Sequence, residues 1–381
     1  MKHCETTDCA ALDRLQSQTI SLLRFPMIAA VVLIHSDVSD VVVSGVKLTS
    51  GVDLPVYGFM STLFVNTFAR IAVPLFFFIS GYLFFKGADF NRNVYVRKLK
   101  SRCRSLLVPY VFWNIVVIFL TFLTQVFLSD MTSGRKKLIA DFSFTDWLSC
   151  FWCFPDTMPI CYPFWFIRNL MILVIVSPLI YYLTKLAGPA LAIVTGLLWI
   201  YGIEGVSSTG PWSLDGIFFF CFGAYYAIKG KNFVAVMSKC PVKLAVSAYA
   251  LLVCLRMVVY MCGIDDNNII KQLSVFVGVT AVILVSAKAL DKGKVKVNGL
   301  LLSSTFFVYA YHAMPAAFAT KMWAKVMPKT DLSMTVGLFV SALVIIIVGV
   351  LLYKLSDKLF PRFTAVVTGG RAKVKSSWMG K

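Results

Sequence analysis

Charge is scarce in this chain, and acid is scarcer than base. Only 14% of its 381 residues are charged, with 18 Asp and Glu against 37 Lys and Arg, while 59% are hydrophobic. The mean hydropathy is +0.79. A soluble domain of this size carries far more charge, so a soluble fold is excluded and a polytopic membrane protein is implied. Cys150, Cys153 and Cys161 have no further His or Cys pair nearby, which argues against a zinc site. No Cys or Ser stands in a nucleophile setting, which argues against nucleophilic catalysis through a covalent intermediate. No internal repeat is visible, whereas transporters built from inverted repeats more often show one. The N-terminal MKHCETTDCAALDRLQSQ lacks the pattern of a cleavable signal and reads as a polar tail. Ten cysteines are scattered. Cys4, Cys9, Cys103 and Cys240 fall in loops assigned to the cytoplasm, where disulfides are disfavoured. Cys150, Cys153 and Cys161 share an outer loop, and their spacing leaves open whether any two pair.

What is present is hydrophobic runs. They predict an all-α integral membrane protein, a bundle of about ten helices over 20–37, 61–85, 106–128, 162–184, 187–203, 211–228, 243–262, 269–288, 300–320 and 332–353. Lys and Arg set the orientation. The loop 86–105 alone holds Lys86, Arg92, Arg97, Lys98, Lys100, Arg102 and Arg104, and further lysines cluster at 229–243 and 288–296. The opposite side has Lys47, Arg135, Lys136, Lys137, Lys321, Lys325 and Lys329. Both termini are therefore expected in the cytoplasm. The chain divides into a tail (1–19), a transmembrane domain (20–353) and a basic C-terminal tail (354–381). The net charge of +19 is then a topology signal, not a nucleic-acid footprint.

The first span, ISLLRFPMIAAVVLIHSD, carries two residues that lipid does not tolerate cheaply, Arg24 and His35. Eleven helical steps of about 100° return to within about 20°, so both point along one face, about 16 Å apart. An Arg in a span costs about 2.5–3.5 kcal/mol on insertion scales and normally faces protein or a wet cavity. The bland reading is an Arg24 that snorkels to one interface and a His35 at the other. Other ionisable residues in or near the spans are Arg70, Arg168, Glu204, Asp215, Arg256 and His312. Glu204 and Asp215 flank a short outer turn and read as solvated loop positions, and Arg256 has no partner evident in sequence. His312, in STFFVYAYHAMP, is expected at a depth comparable with His35. It reads equally well as a core histidine bonded to a backbone carbonyl.

Two further stretches leave alternatives open. Arg97, Lys98, Lys100, Arg102 and Arg104 crowd the mouth of the third span. Such clusters obey the positive-inside rule, bind anionic lipid, or clamp a phosphorylated cytosolic cofactor through arginine forks. The outer segment 129–161, rich in Trp, Phe and Pro, forms an interfacial belt by default, or a lid or sugar-stacking surface.

Taken together, these motifs resemble the membrane-bound acyltransferase-3 family. LRFPMIAAVVLIH resembles its first span, RIAVPLFFFISGYLFF its second, and the basic run ending in RSLLVPYVFWN its third. PFWFIRNLMILVIVSPLIYY, FFFCFGAYYA and TFFVYAYH follow in the family's order, so the likeness spans roughly 18–355. The resemblance implies a ten-helix enzyme of the bacterial inner membrane, which moves an acyl group, commonly acetyl, from cytosolic acyl-CoA to a hydroxyl of a cell-envelope glycan or related acceptor. By matching position, His35 is the family's essential histidine and Arg24 its partner. The family's Arg-x-x-Arg is only loosely matched by Arg102-Cys103-Arg104, with Arg97 three positions before Lys100. The Pro163, Trp165 and Arg168 stretch, with Tyr162 beside it, matches a donor and acceptor pore region, and His312 matches a less constant late histidine. Acyl transfer to a hydroxyl needs a base, for which imidazole is suited near neutrality, and cations for the donor's phosphates. The competing reading is a lipid or glycan transporter or flippase with these polar residues lining its conduit.

Overall fold

The computed structural model of the chain describes residues 2–39, 41–43, 46–47, 49, 51–87, 89–129, 132, 137–152, 158–264 and 268–370. Cys153, the outer cations Arg135 and Lys136, and the tail residues 371–381 lie outside them. The helices, in order, are α1 (Lys2–Ile34), α2 (Pro55–Phe85), α3 (Arg92–Phe127), α4 (Trp165–Ile175) and α5 (Ser177–Ala187). They continue with α6 (Pro189–Tyr201), α7 (Leu214–Ile228), α8 (Val242–Met261) and α9 (Asn268–Asp291). Last come α10 (Gly299–Tyr311), α11 (Ala313–Val326), α12 (Asp331–Leu359) and α13 (Pro361–Val367). One two-residue hairpin, Val42–Val43 paired antiparallel with Val46–Lys47, interrupts an otherwise helical chain.

All ten expected segments fall on helix, but not as ten uniform spans. Among the described residues six helices are long and apolar enough to cross a bilayer: α1 from Cys9, α2, α3, α8, α9 and α12. The pair α4 and α5, bent by 64°, makes a seventh if counted as one span. The remaining three, α6, α7 and α10, have 13, 15 and 13 residues. At 1.5 Å per residue these reach about 20 Å, short of a hydrocarbon core of about 30 Å.

Prolines account for the breaks. Pro178 has no N–H for the Val174 carbonyl, and Ser177 Oγ donates to that carbonyl instead at 2.7 Å. Pro315 likewise removes the bond to the Tyr311 carbonyl, and α10 stops at Tyr311. Before Pro74 and Pro109 the chain widens into π-turns at Ser61–Phe68 and Cys103–Leu107.

The tightest packing is the crossing of α2 and α7. A Cβ on Gly81 would lie 2.1 Å from the Phe220 carbonyl oxygen, and one on Gly223 would lie 2.0 Å from that of Phe78. The two backbones touch because both glycines lack side chains, the small-residue device of membrane helices. Phe77, Phe78, Phe219 and Phe220 are fully buried around the crossing.

Gln16 and Val367, in the segments on either side of the transmembrane domain, both bond into the fold. Helix α1 begins at Lys2, and Gln16 donates to the Tyr82 hydroxyl at 2.6 Å while accepting from the Phe233 N–H at 2.8 Å. At the other end Trp113 Nε1 donates to the Val367 carbonyl at 3.0 Å, which pins α13 to α3. Asp215 departs from the expectation of a solvated loop. It sits in the first turn of α7 and accepts from the Nε1 of buried Trp199 at 2.9 Å, whereas Glu204 is exposed as expected. Cys150 and Cys161 are both buried free thiols, so these two are not paired with one another, and Cys153 lies outside the described residues.

Because no side chain fits at the crossing, Gly223→Ala is expected to lower stability by about 1–3 kcal/mol through overpacking. A thermal melt of the detergent-solubilised protein, set beside Ser238→Ala at an exposed position with helical backbone, checks this. An unchanged midpoint for the first variant would show that the crossing yields freely.

Candidate active site

Arg24, Ile28, Val31 and His35 of α1 and its C-terminal turn line one cavity of about 360 Å³. Their spacing of four, three and four residues is one stripe of a 3.6-residue helix, so the polar pair shares a wall as the sequence predicts. Val73, Phe76, Ile79, Ser80 and Leu83 of α2 form the facing wall. Arg102 and Leu106 come from α3, Pro163, Trp165 and Phe166 from the start of α4, and Leu302, Thr305, Phe306 and Tyr309 from α10. The volume falls in the range of about 300–1,000 Å³ typical of small-molecule sites.

Polarity is unevenly distributed along this tunnel. Arg24 and Arg102 are near enough for their charges to act on one another, and both line it. No acidic side chain does. Among the described residues neither guanidinium makes an ion pair. His35 lies three helical turns from Arg24, and the lining between them on α1 is Ile28 and Val31. Two like charges on an apolar wall are repulsive unless an anion joins them.

The structure divides the basic cluster that the sequence presents as one. Arg102 enters the tunnel, whereas Arg92, Arg97, Lys100 and Arg104 line a separate groove with Ala365, Val366 and Gly369. Gly370 borders both cavities. Lys98 does neither: its ammonium donates to the carbonyl of Phe84 at the end of α2 and lies 5.3 Å from the centre of the Phe84 ring. A cation there also complements the helix dipole.

The remaining candidates separate by position. Trp165 lines the tunnel. Tyr162 packs edge-on against the His35 ring at 4.8 Å, and His312 lies behind that ring with centroids 5.3 Å apart. Arg168 does not line the tunnel. It is fully buried and donates through Nη2 to the Thr209 carbonyl at 2.6 Å, fastening the loop after α6. Asn169 does the same at Gly210, also at 2.6 Å. Arg70 is outside the cavity and donates to Asn66 Oδ1 at 3.1 Å. Arg256 finds its partner in the Asn66 carbonyl at 2.8 Å.

Sequence reasoning missed the network that holds the chain just past His35. Asp37 accepts from the Tyr57 hydroxyl at 2.5 Å, from Ser61 Oγ at 2.6 Å and from the Ser39 N–H at 2.9 Å. The Tyr57 hydroxyl accepts in turn from the Val38 N–H at 2.8 Å. An acid two residues after an intramembrane histidine was the available signal. Tyr309 was missed too: its hydroxyl donates to the Pro163 carbonyl at 2.6 Å and clamps the tunnel's aromatic wall.

Apolar helices closed around a tunnel with an imidazole and two uncompensated arginines suit a membrane enzyme that moves a group from an anionic donor. Comparison with known families makes the class definite: the chain belongs to the acyltransferase-3 family, whose acyltransferase domain matches residues 18–354, and it is a membrane acyltransferase. It is similar to the succinoglycan biosynthesis protein ExoH of Rhizobium meliloti (strain 1021), with 23% identity over 379 residues covering 96% of this chain and 95% of ExoH. No solved structure matches it.

The two arginine positions are expected to respond oppositely. Arg168→Met leaves buried carbonyls without a donor and lowers stability by about 2–4 kcal/mol, with loss of folded yield. Arg102→Met, facing the tunnel, leaves folded yield near wild type. Size-exclusion profiles after graded heating distinguish them, and equal loss in both would remove the distinction.

Proposed function

We propose that this protein is an acyl-CoA-dependent O-acyltransferase of the bacterial inner membrane, with both termini in the cytoplasm. It transfers an acyl group, acetyl in the simplest case, to a hydroxyl of a cell-envelope glycan. The observation that carries the reading is the tunnel itself, lined by Arg24 of α1 and Arg102 of α3 with no carboxylate among its lining residues, and by an imidazole three turns from Arg24 along the same α1 stripe. Arg24 and Arg102 would bind donor phosphate oxygens, with Arg97, Lys100 and Arg104 extending the cationic surface into the adjoining groove. Lys98, engaged with Phe84, would act on the shape of that mouth more than on the donor.

The apolar middle of the tunnel suits an uncharged pantetheine arm, which delivers the thioester to His35. There His35 acts as general base: it takes the proton of the acceptor hydroxyl as that oxygen attacks the thioester carbon, then returns it to the departing thiolate. The glycan acceptor is supported by the similarity to a protein whose name places it in succinoglycan biosynthesis. The positive bias of the loops supports the orientation.

Acetyl-CoA binding and cleavage by the purified protein test the reading. Wild type should bind and turn over. His35→Ala should bind with turnover lower by about 10²–10⁴, the usual worth of a general base. Arg102→Ala should weaken binding about 10- to 100-fold, the loss of about 1.5–3 kcal/mol expected for a charged hydrogen bond. A folded wild type without affinity for acetyl-CoA or other acyl-CoAs would overturn the proposal.

A further inference from the structure

His312 is absent from the tunnel lining and fully buried behind His35, at the break between α10 and α11. Its Nδ1 lies 2.5 Å from the Tyr309 carbonyl oxygen. A carbonyl only accepts, so Nδ1 carries the proton and Nε2 keeps its lone pair. That Nε2 is buried with no hydrogen-bond partner among the described residues. An orphaned buried acceptor costs about 1–3 kcal/mol, so a partner in the working state would offset a standing penalty.

The ring that faces it is His35, with centroids 5.3 Å apart and planes inclined by 31°. Two imidazoles joined by an N–H···N bond of about 2.9 Å have centroids about 5 Å apart, so a small ring rotation closes the bond. Tyr162 stands edge-on to His35 at 4.8 Å and limits where that ring can turn. The nearest acid in sequence, Asp37, is engaged elsewhere: it accepts from Tyr57, Ser61 and Ser39, and among the described residues no hydrogen bond joins it to His35.

We propose that His312 is the positioning residue of the transfer, its Nε2 accepting an N–H from His35. That bond fixes the tautomer of His35 and leaves its other nitrogen as a lone pair toward the tunnel. The inference rests on His35 being the base. The acceptor oxygen bonds to the acyl carbon as its proton passes to His35; the carbon–sulfur bond breaks, and the proton goes on to the thiolate. His312 exchanges no proton; through Nε2 it steadies the imidazolium that His35 briefly becomes. The arrangement follows the base-and-orienter logic of hydrolytic triads, with an anchored imidazole in place of a carboxylate.

The test is CoA release from acetyl-CoA and succinyl-CoA by the full-length protein in detergent, with envelope extract as acceptor source and rates normalised to folded protein. His312→Asn keeps an N–H where Nδ1 donates to Tyr309 but has nothing at Nε2. His312→Gln places an amide oxygen near Nε2. We expect His312→Asn to lose about 10- to 100-fold in kcat with KM for the donor unchanged, a part of what a general base contributes. His312→Gln should recover much of it. Wild-type kcat in His312→Asn beside an inactive His35→Ala would overturn the positioning role alone and leave the base in place, as would a loss confined to KM. Full activity in His35→Ala, or a wild type that cleaves neither donor, would bring down the base and the positioning role together.

Discussion

An arginine in a bilayer must face protein, water or an anion, and this constraint organises the molecule. Arg24 sits on a helix otherwise fit for lipid, so other helices must close over its stripe. Helices α2, α3, α4 and α10 do so, and the space they leave is the tunnel. The closure depends in turn on the bare-backbone crossing of α2 and α7, which brings a second layer of helices against the first wall. Polar placement and close packing are thus one problem. The charge dictates where a cavity is needed, and small residues decide how tightly the rest can be drawn around it.

Broken helices are the second theme. A proline in a membrane helix frees a carbonyl that must be satisfied locally, and here the breaks coincide with the working parts. The break at Tyr311 delivers His312 behind His35. The π-turn Cys103–Leu107 falls where α3 passes from the groove cations to the tunnel wall at Leu106. The 64° bend between α4 and α5 lies at the C-terminal end of α4, whose first turns line the tunnel. Short helices that would make poor membrane spans make good supports for a site, because their ends can carry side chains to mid-depth.

Much of this was legible from residue spacing. The Arg24–His35 stripe follows from the helical period alone, and Trp165, just inside the start of α4, lines the same cavity. The split of the basic cluster was readable in principle, since Lys98 and Arg102 are four residues apart while Arg97, Lys100 and Arg104 fall on another face. What could not be read were partnerships across the fold. Arg168 looks like a pore cation until Thr209 supplies its carbonyl, and Asp215 looks solvated until Trp199 turns toward it. Nothing in STFFVYAYHAMP says which ring nitrogen of His312 is occupied. Local period fixes faces; only tertiary contact fixes partners.

The apolar middle of the tunnel has a consequence beyond the donor. In any membrane that holds a potential, a cavity among spanning helices threatens to become a leak, since each elementary charge crossing 100 mV releases about 2.3 kcal/mol. Ile28, Val31, Phe76 and Phe306 give the lining an apolar band, and apolar constrictions are the kind of surface that stops hydrated ions by dewetting. Arg24 and Arg102 add a positive barrier against protons and metal cations. The apolar wall therefore insulates as well as shapes the site, so a membrane enzyme can hold a cavity of this kind without discharging the membrane.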